Sequence, residues 1–302
     1  MSKQPVTDRN GITEEQFLKT YDAGVYERPS VTVDMLIFTV MEREQDNYRK
    51  LSEKSLQLLL IQRGEHPYLG QWALPGGFVG VHESLDEAAR RELFTETNID
   101  NIYMEQLYTW GEVQRDPRMR VISCSYMALV DRTALNVQAG DDAADAAWFE
   151  VSHEILEASR RELEQGYELD QFIKITLQSD KVTLSGVVKI TESVQGHVSK
   201  ILREIVQSEG FAFDHLMMVQ YAIERLRGKV EYTDIIFNLM PPLFTLSELQ
   251  RVYEIILGKE LLAAAFRRKI ADRVMETEDF TRDAGHRPSK LYRYNMNRAS
   301  NQ

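Results

Sequence analysis

The sequence predicts an α+β fold, with a helical unit following a sheet-rich one. Three observations carry this. β-Branched and apolar runs in the first half are interrupted by one strongly amphipathic helix. From about Phe211 onward the apolar residues recur three and four apart, which is helical spacing. The last segment, "VMETEDF…HRPSKLYRYN", reads as a β-hairpin around a basic loop. Strand–helix–strand order implies a mixed sheet covered by helices. Helices followed by a basic hairpin match a winged helix-turn-helix.

The elements follow in order. "EEQFLKTYD" (14–22) has the spacing of a short helix, and "SVTVDMLIFTVM" (30–41) reads as a buried strand. "SLQLLLIQR" (55–63) is a second strand, and "GEHPYLGQW" is a turn-rich loop. A helix spans 84–98, with Ser84 as N-cap and Glu87 completing a capping box. Strands are expected at 102–111, 119–130 and 146–151, and "QFIKITLQ" with "KVTLSGVVKIT" suggests a hairpin. "VSKILREIVQ" (198–207) has helical spacing. Helices then follow at "FDHLMMVQYAIERLRGKV", at 245–258 with Thr245 and Glu248 as capping box and Gly258 as stop, and at 260–274.

Composition sets limits. With 302 residues, about two domains are expected. The 43% hydrophobic and 27% charged content is that of an ordinary globular chain. The start is polar, and the apolar runs are shorter than a membrane span requires, so neither a secretory segment nor a transmembrane helix is expected. One cysteine, Cys124, cannot form an internal disulfide, which fits the cytoplasm. The net charge of −11 excludes attraction to nucleic acid by the overall field, so any such contact must come from a local patch.

The segment richest in chemistry is "GGFVGVHESLDEAARRELFTETNID" (76–100). Glu92 and Glu96 lie four apart on one helix face, where two carboxylates can hold a hard cation such as Mg²⁺ or Mn²⁺. Gly76 and Gly77 let the backbone come close to a ligand. Glu83, just before the helix, can join such a site or brace Arg91. A cation held in this way suits a diphosphate, since it neutralises phosphate oxygens and activates water. The same acids would also serve as a solvated helix face.

This stretch resembles the Nudix box, G-x5-E-x7-R-E-U-x-E-E-x-G-U with U apolar. Gly77, Glu83, Arg91, Glu92, Leu93, Glu96 and Ile99 match in spacing, while Thr95 and Asn98 depart from it. The resemblance implies a Nudix α/β/α sandwich, with Arg91, Glu92 and Glu96 as the catalytic group and Glu92 and Glu96 as metal ligands. Asn98 is a mild change, because Asn tolerates the left-handed backbone found at helix ends. Thr95 stands where a metal-binding glutamate is expected, so hydrolysis is expected to be feeble or absent while binding survives.

The whole chain also resembles the Nudix-related transcriptional regulators of bacterial NAD and sugar metabolism. The resemblance rests on "RPSVTVDMLIFTV", "RDPRMRVIS", "AGDDAADAAWFEV", "FDHLMMVQYAIERLRGKVEYT" and "FRRKI…AGHRPSKLYRY". It implies an N-terminal Nudix domain that senses ADP-ribose or a related nucleotide or sugar, and a winged helix that binds DNA as a homodimer. The expected division is a Nudix domain with an N-terminal extension at 1–152, an inserted β-hairpin and helix at 153–208, and a winged-helix domain at 209–302. Arg267, Arg268 and Lys269 would contact DNA from the recognition helix, and His286, Arg287, Lys290 and Arg293 from the wing. The alternative is a Mg²⁺-dependent Nudix hydrolase acting on ADP-ribose, whose C-terminal domain serves dimerisation or substrate binding. Trp72, Tyr108 and Trp110 could stack on a nucleoside or fill the core, and Arg63, Arg115, Arg118 and Arg120 could bind phosphates or pair with surface acids.

Overall fold

A strand buried on both faces needs apolar side chains at nearly every position, and residues 33–40 supply them. The computed structural model describes residues 6–42, 54–100, 102–134, 146–281 and 288–297. A short exposed helix, α1 (Glu14–Thr20), precedes β1 (Ser30–Glu42). Val33, Met35 and Ile37 of β1 face one layer of core, while Leu36, Phe38 and Val40 face the other. After it come β2 (Lys54–Gln62), the short β3 (Trp72–Ala73) and β4 (Gly76–Phe78), the helix α2 (Leu85–Thr97), and then β5 (Tyr103–Trp110) and β6 (Val121–Leu129). β1 pairs antiparallel with β2 and parallel with β6, and β4 adds to β1 by placing Gly77 opposite Val33.

Four long strands extend this sheet. They are β7 (Ala146–Leu163), β8 (Gly166–Gln178), β9 (Thr183–Gln195) and β10 (Val198–Glu209), giving the order β10-β9-β8-β7-β2-β1-β6-β5. The helix expected at 198–207 is therefore corrected to a strand, and the inserted segment is an antiparallel meander continuous with the sheet. The apolar residues there do have helical spacing, yet Val198, Ile201, Leu202 and Val206 are all more than half exposed. That spacing does not correspond to a buried helical face. Abundant β-branched residues, pairing with β9 and a two-residue turn at Gly196 (φ 58°) favour the strand.

Helices cover both faces. α2 places Ala88, Ala89 and Leu93 on the Val33 side of the sheet. On the other side lies α3 (His215–Tyr232), which buries Leu216, Val219, Ala222, Ile223 and Leu226. The α/β/α sandwich is thus completed by a helix from the second half of the chain. α4 (Leu246–Leu257) follows, with the Thr245–Glu248 capping box formed and Gly258 left-handed at φ 67°. α5 is confined to Ala263–Ile270, within the 260–274 expected, because Val274 already pairs with Tyr294. The hairpin of β11 (Val274–Phe280) and β12 (Lys290–Tyr294) gains a third extended segment where Phe244 and Tyr292 exchange backbone hydrogen bonds of 3.0 and 2.8 Å. This is winged-helix architecture, and its Phe266 and Ile270 belong to the same buried cluster as α3.

One contact between β7 and α3 predicts a pH dependence. His153 Nδ1 lies 2.9 Å from Arg227 Nη1. Burial, with the guanidinium beside it, pushes the imidazole from its ordinary 6.5 down to about 4. Between those values the unfolded chain binds more protons than the folded one. Stability is therefore full above the unfolded value and falls as pH drops through the window. Replacing His153 with Gln is expected to flatten that fall, read as urea midpoints across the window.

Candidate functional site

The Nudix-box residues converge as their spacing implies. Ser84 and Glu87 form both halves of the capping box, which fixes where α2 begins. Asn98 ends it in the left-handed conformation, φ 54° and ψ 30°, as expected of Asn in place of Gly. Arg91 reaches back to Glu83 with contacts of 2.8 and 3.1 Å, and also donates to Glu92 Oε1 at 2.5 Å. Glu83 in turn accepts from the Gly80 amide at 2.8 Å. The Arg91 hydrogen bonds, followed by the Gly80 amide, hold Glu83 down to about 2. Of the two roles open to Glu83, the geometry shows it bracing Arg91.

Glu92 is buried with its carboxylate against Gly77, where an added Cβ would collide with Glu92 Oε1. Gly76 is tighter still, since a Cβ there would meet the Val33 carbonyl, which is backbone and cannot swing away. Gly76→Ala is expected to cost about 2 kcal/mol of stability through overpacking, visible as a lower urea midpoint. Glu96 is partly buried, and its pKa is raised by that burial and by the neighbouring Glu92 charge.

Thr95 contributes no charge and its hydroxyl is engaged. Its Oγ1 donates to the Arg91 carbonyl one turn back at 2.9 Å. Among the described residues no group of three or more His, Cys, Asp or Glu is arranged to hold a metal. The Nudix family uses divalent cations generally. Glu92 and Glu96 are the two carboxylates that could hold such an ion, with phosphate oxygens and water completing its shell, and Glu92 Oε1 accepts from Arg91. They do not form a closed cage.

Beside β4, whose Gly77 packs against Glu92, lies a cavity of about 180 Å³, lined by Gly76, Gly77, Arg63, Arg115, Arg118 and Phe213 among others, with no residue of α2 in its lining. Arg118 pairs with Asp116 at 2.8 Å. Arg115, almost fully buried, makes two bonds to Asp214 at 2.8 and 3.0 Å and lies 3.7 Å from Asp34. Arg63 lies over the Phe213 ring at 5.0 Å. Arg120 binds main-chain carbonyls of Gly111 and Glu112. Trp72 and Trp110 are core residues, one edge-on to Phe149 and the other donating to Ser125, whereas Tyr108 is half exposed. Phe213, Asp214 and His215 were not foreseen here. They lie far along the sequence, and only the return of the chain onto β3 brings them in.

In the winged domain, Arg267, Arg268 and Lys269 form an exposed last turn of α5, behind the exposed Ala263–Ala265. Lys290 is tied to Glu276 at 2.7 Å. Arg293 is exposed on β12 and lines a cavity of about 830 Å³ that also includes Tyr103 and Asp131. His286 and Arg287 lie outside the described residues. No helix among the described residues is long and apolar enough to cross a membrane.

Comparison with known proteins agrees with this fold. The NUDIX domain family matches residues 49–168, and the NrtR DNA-binding winged helix domain family matches 236–294. The chain is 34% identical over 288 residues to the ADPR responsive transcriptional repressor NtrR of Acinetobacter baylyi, covering 94% of this chain and 90% of that one. It is also 34% identical over 142 residues to an ADP-ribose pyrophosphatase of Methanocaldococcus jannaschii, covering 47% of this chain and 73% of that one. Among solved structures it resembles a MutT/nudix family protein of Enterococcus faecalis at 28% identity, TM-score 0.64 and 94% coverage of both chains. It also resembles Shewanella oneidensis NrtR complexed with a 27mer DNA, at 28% identity and TM-score 0.59, covering 89% of this chain and 95% of that one. Fold and site together define a Nudix domain joined to a winged-helix DNA-binding domain. Within that class, the chain belongs to the NrtR family of Nudix-related transcriptional regulators.

Proposed function

We propose that this protein is a transcriptional regulator whose Nudix domain binds ADP-ribose without hydrolysing it at enzymatic rates, and whose winged helix releases or engages DNA in response. The observation that carries this is the state of the box. Arg91, Glu83, Glu92 and the two glycines are assembled beside a cavity with three arginines, yet Thr95 is bonded to its own helix. Such a site offers guanidinium groups for a diphosphate and two carboxylates for a cation. It lacks the further acid expected to steady a catalytic metal. Bound Mg²⁺ would supply charge neutralisation at the phosphate oxygens. The chain's own part is to hold the ligand, with Arg91 orienting Glu92 and Gly77 leaving room for its carboxylate.

Because two carboxylates hold a cation weakly, Mg²⁺ and ADP-ribose are expected to bind cooperatively. Calorimetry should record tighter ADP-ribose uptake with Mg²⁺ than with a chelator, and equal uptake would count against the cation. The DNA arm is read by an anisotropy titration on the region upstream of the protein's own gene. Its affinity should change on adding ADP-ribose and weaken with salt. The division into a Nudix domain, a strand meander and a winged helix belongs to this reading, as do a homodimer and a cytoplasmic setting. The second reading, a Mg²⁺-dependent ADP-ribose pyrophosphohydrolase, draws on the same Glu92–Glu96 pair and the likeness to the pyrophosphatase. Steady cleavage of the ADP-ribose pyrophosphate to AMP and ribose 5-phosphate by the wild-type protein would select it.

A further inference from the structure

The segment that leads from the sheet into α3 passes through the ligand cavity. Gly210 accepts from the Trp72 amide at 2.8 Å, and Ala212 donates back to the Trp72 carbonyl at 2.8 Å. The chain is thereby held along β3, which runs directly into Gly76. Phe213, a non-glycine residue at φ 52°, sits in the left-handed region, a conformation that costs free energy unless its surroundings enforce it. Those surroundings are Tyr68, 4.6 Å between ring centroids, and the guanidinium groups of Arg63 and Arg118 at 5.0 and 6.0 Å. His215, the first residue of α3, is buried and accepts the Leu74 amide at 2.9 Å through Nδ1. Its Nε2 then faces Asp34 at 3.7 Å.

Arg115 connects this segment to the cavity. It lines the cavity, and its Nε and Nη2 form a fork with the carboxylate of Asp214. We propose that Arg115 is the sensing residue of the ligand site, exchanging Asp214 for the pyrophosphate of the bound nucleotide and so loosening the 210–215 segment at the head of α3. A pyrophosphate oxygen pair can replace a carboxylate in the same two-pronged geometry. Loss of the fork leaves Phe213 in an unfavourable backbone conformation with one fewer restraint. The helix that follows covers the sheet and joins the core of the winged domain, so a change at its head has a packed route to the DNA-binding element. This inference rests on the ADP-ribose reading above.

Competition for one guanidinium has a reciprocal signature: removing the competitor must tighten the ligand. The test uses the full chain with Mg²⁺, calorimetry with ADP-ribose and hydrogen exchange of the amides from Ala212 to Met218. In the wild type, ADP-ribose should raise exchange over these amides. Asp214→Asn should exchange faster without ligand and bind ADP-ribose about tenfold more tightly, whereas Asp214→Glu should stay near wild type. Arg115→Lys keeps the charge but loses the fork, and should weaken ADP-ribose binding. Wild-type uptake of ADP-ribose with unchanged exchange would overturn the exchange mechanism alone, even if Asp214→Asn does not fold. Equal or weaker binding by a folded Asp214→Asn would also overturn it. Absence of uptake by the wild type would overturn the ADP-ribose reading and this inference with it.

Discussion

Thr95→Glu is expected to raise Mg²⁺-dependent hydrolysis of ADP-ribose by roughly a hundredfold over the wild type. Position 95 is exposed, three residues after Glu92 and next to Glu96, so a carboxylate there shares the neighbourhood of both. The substitution also removes the hydroxyl that bonds back to Arg91, and Glu suits a helix interior better than Thr. A third carboxylate gives the cation a further anchor during charge development on the phosphate. The same change has a cost without metal, because three acids on one turn repel one another. The variant should therefore melt below wild type in chelator and recover in Mg²⁺, by thermal shift. If hydrolysis stays flat while Mg²⁺ restores stability, the missing acid is not what limits turnover.

The second large effect concerns DNA. Arg267 and Arg268 are exposed at the end of α5 with no acid in ion-pair distance among the described residues, whereas Lys290 is paired with Glu276. A paired cation neutralises a phosphate less effectively than a free one. Each phosphate contact contributes about −0.9 to the slope of log affinity against log salt. Replacing Arg267 and Arg268 together with Ala should make that slope shallower by about two units. Lys290→Ala should change it by less. Because Ala263–Ala265 offer no hydrogen bond to a base edge, the double variant should weaken all DNA sequences alike in the anisotropy titration. A loss confined to one sequence would instead indicate base reading by these arginines.

Much of this was legible in the residues. The Ser84–Glu87 and Thr245–Glu248 capping boxes marked two helix starts at once, because a cap is a local chemical requirement satisfied within one turn. β1 was legible as a run buried on both faces. The box residues Arg91, Glu92 and Glu83 were legible because helix geometry and a short loop alone bring them together. What stayed hidden was non-local. β10 has helical spacing, yet it pairs with β9 and leaves Val198, Ile201, Leu202 and Val206 exposed. Arg115 stood open between a phosphate contact and a surface ion pair, because its partner, Asp214, is 99 residues away. The cis-acting part of the site follows from spacing, while the part supplied by α3 follows only from the fold.

The central claim is that the cavity beside Gly76 and Gly77 takes up a nucleoside diphosphate with a cation and does not cleave it. It is tested most directly by titrating the full-length protein with ADP-ribose and Mg²⁺ in a calorimeter, then analysing the ligand from the cell by chromatography. The account predicts saturable heat of binding and ADP-ribose recovered intact. No heat with or without Mg²⁺, or conversion of the ligand to AMP and ribose 5-phosphate at ordinary enzyme rates, would contradict it.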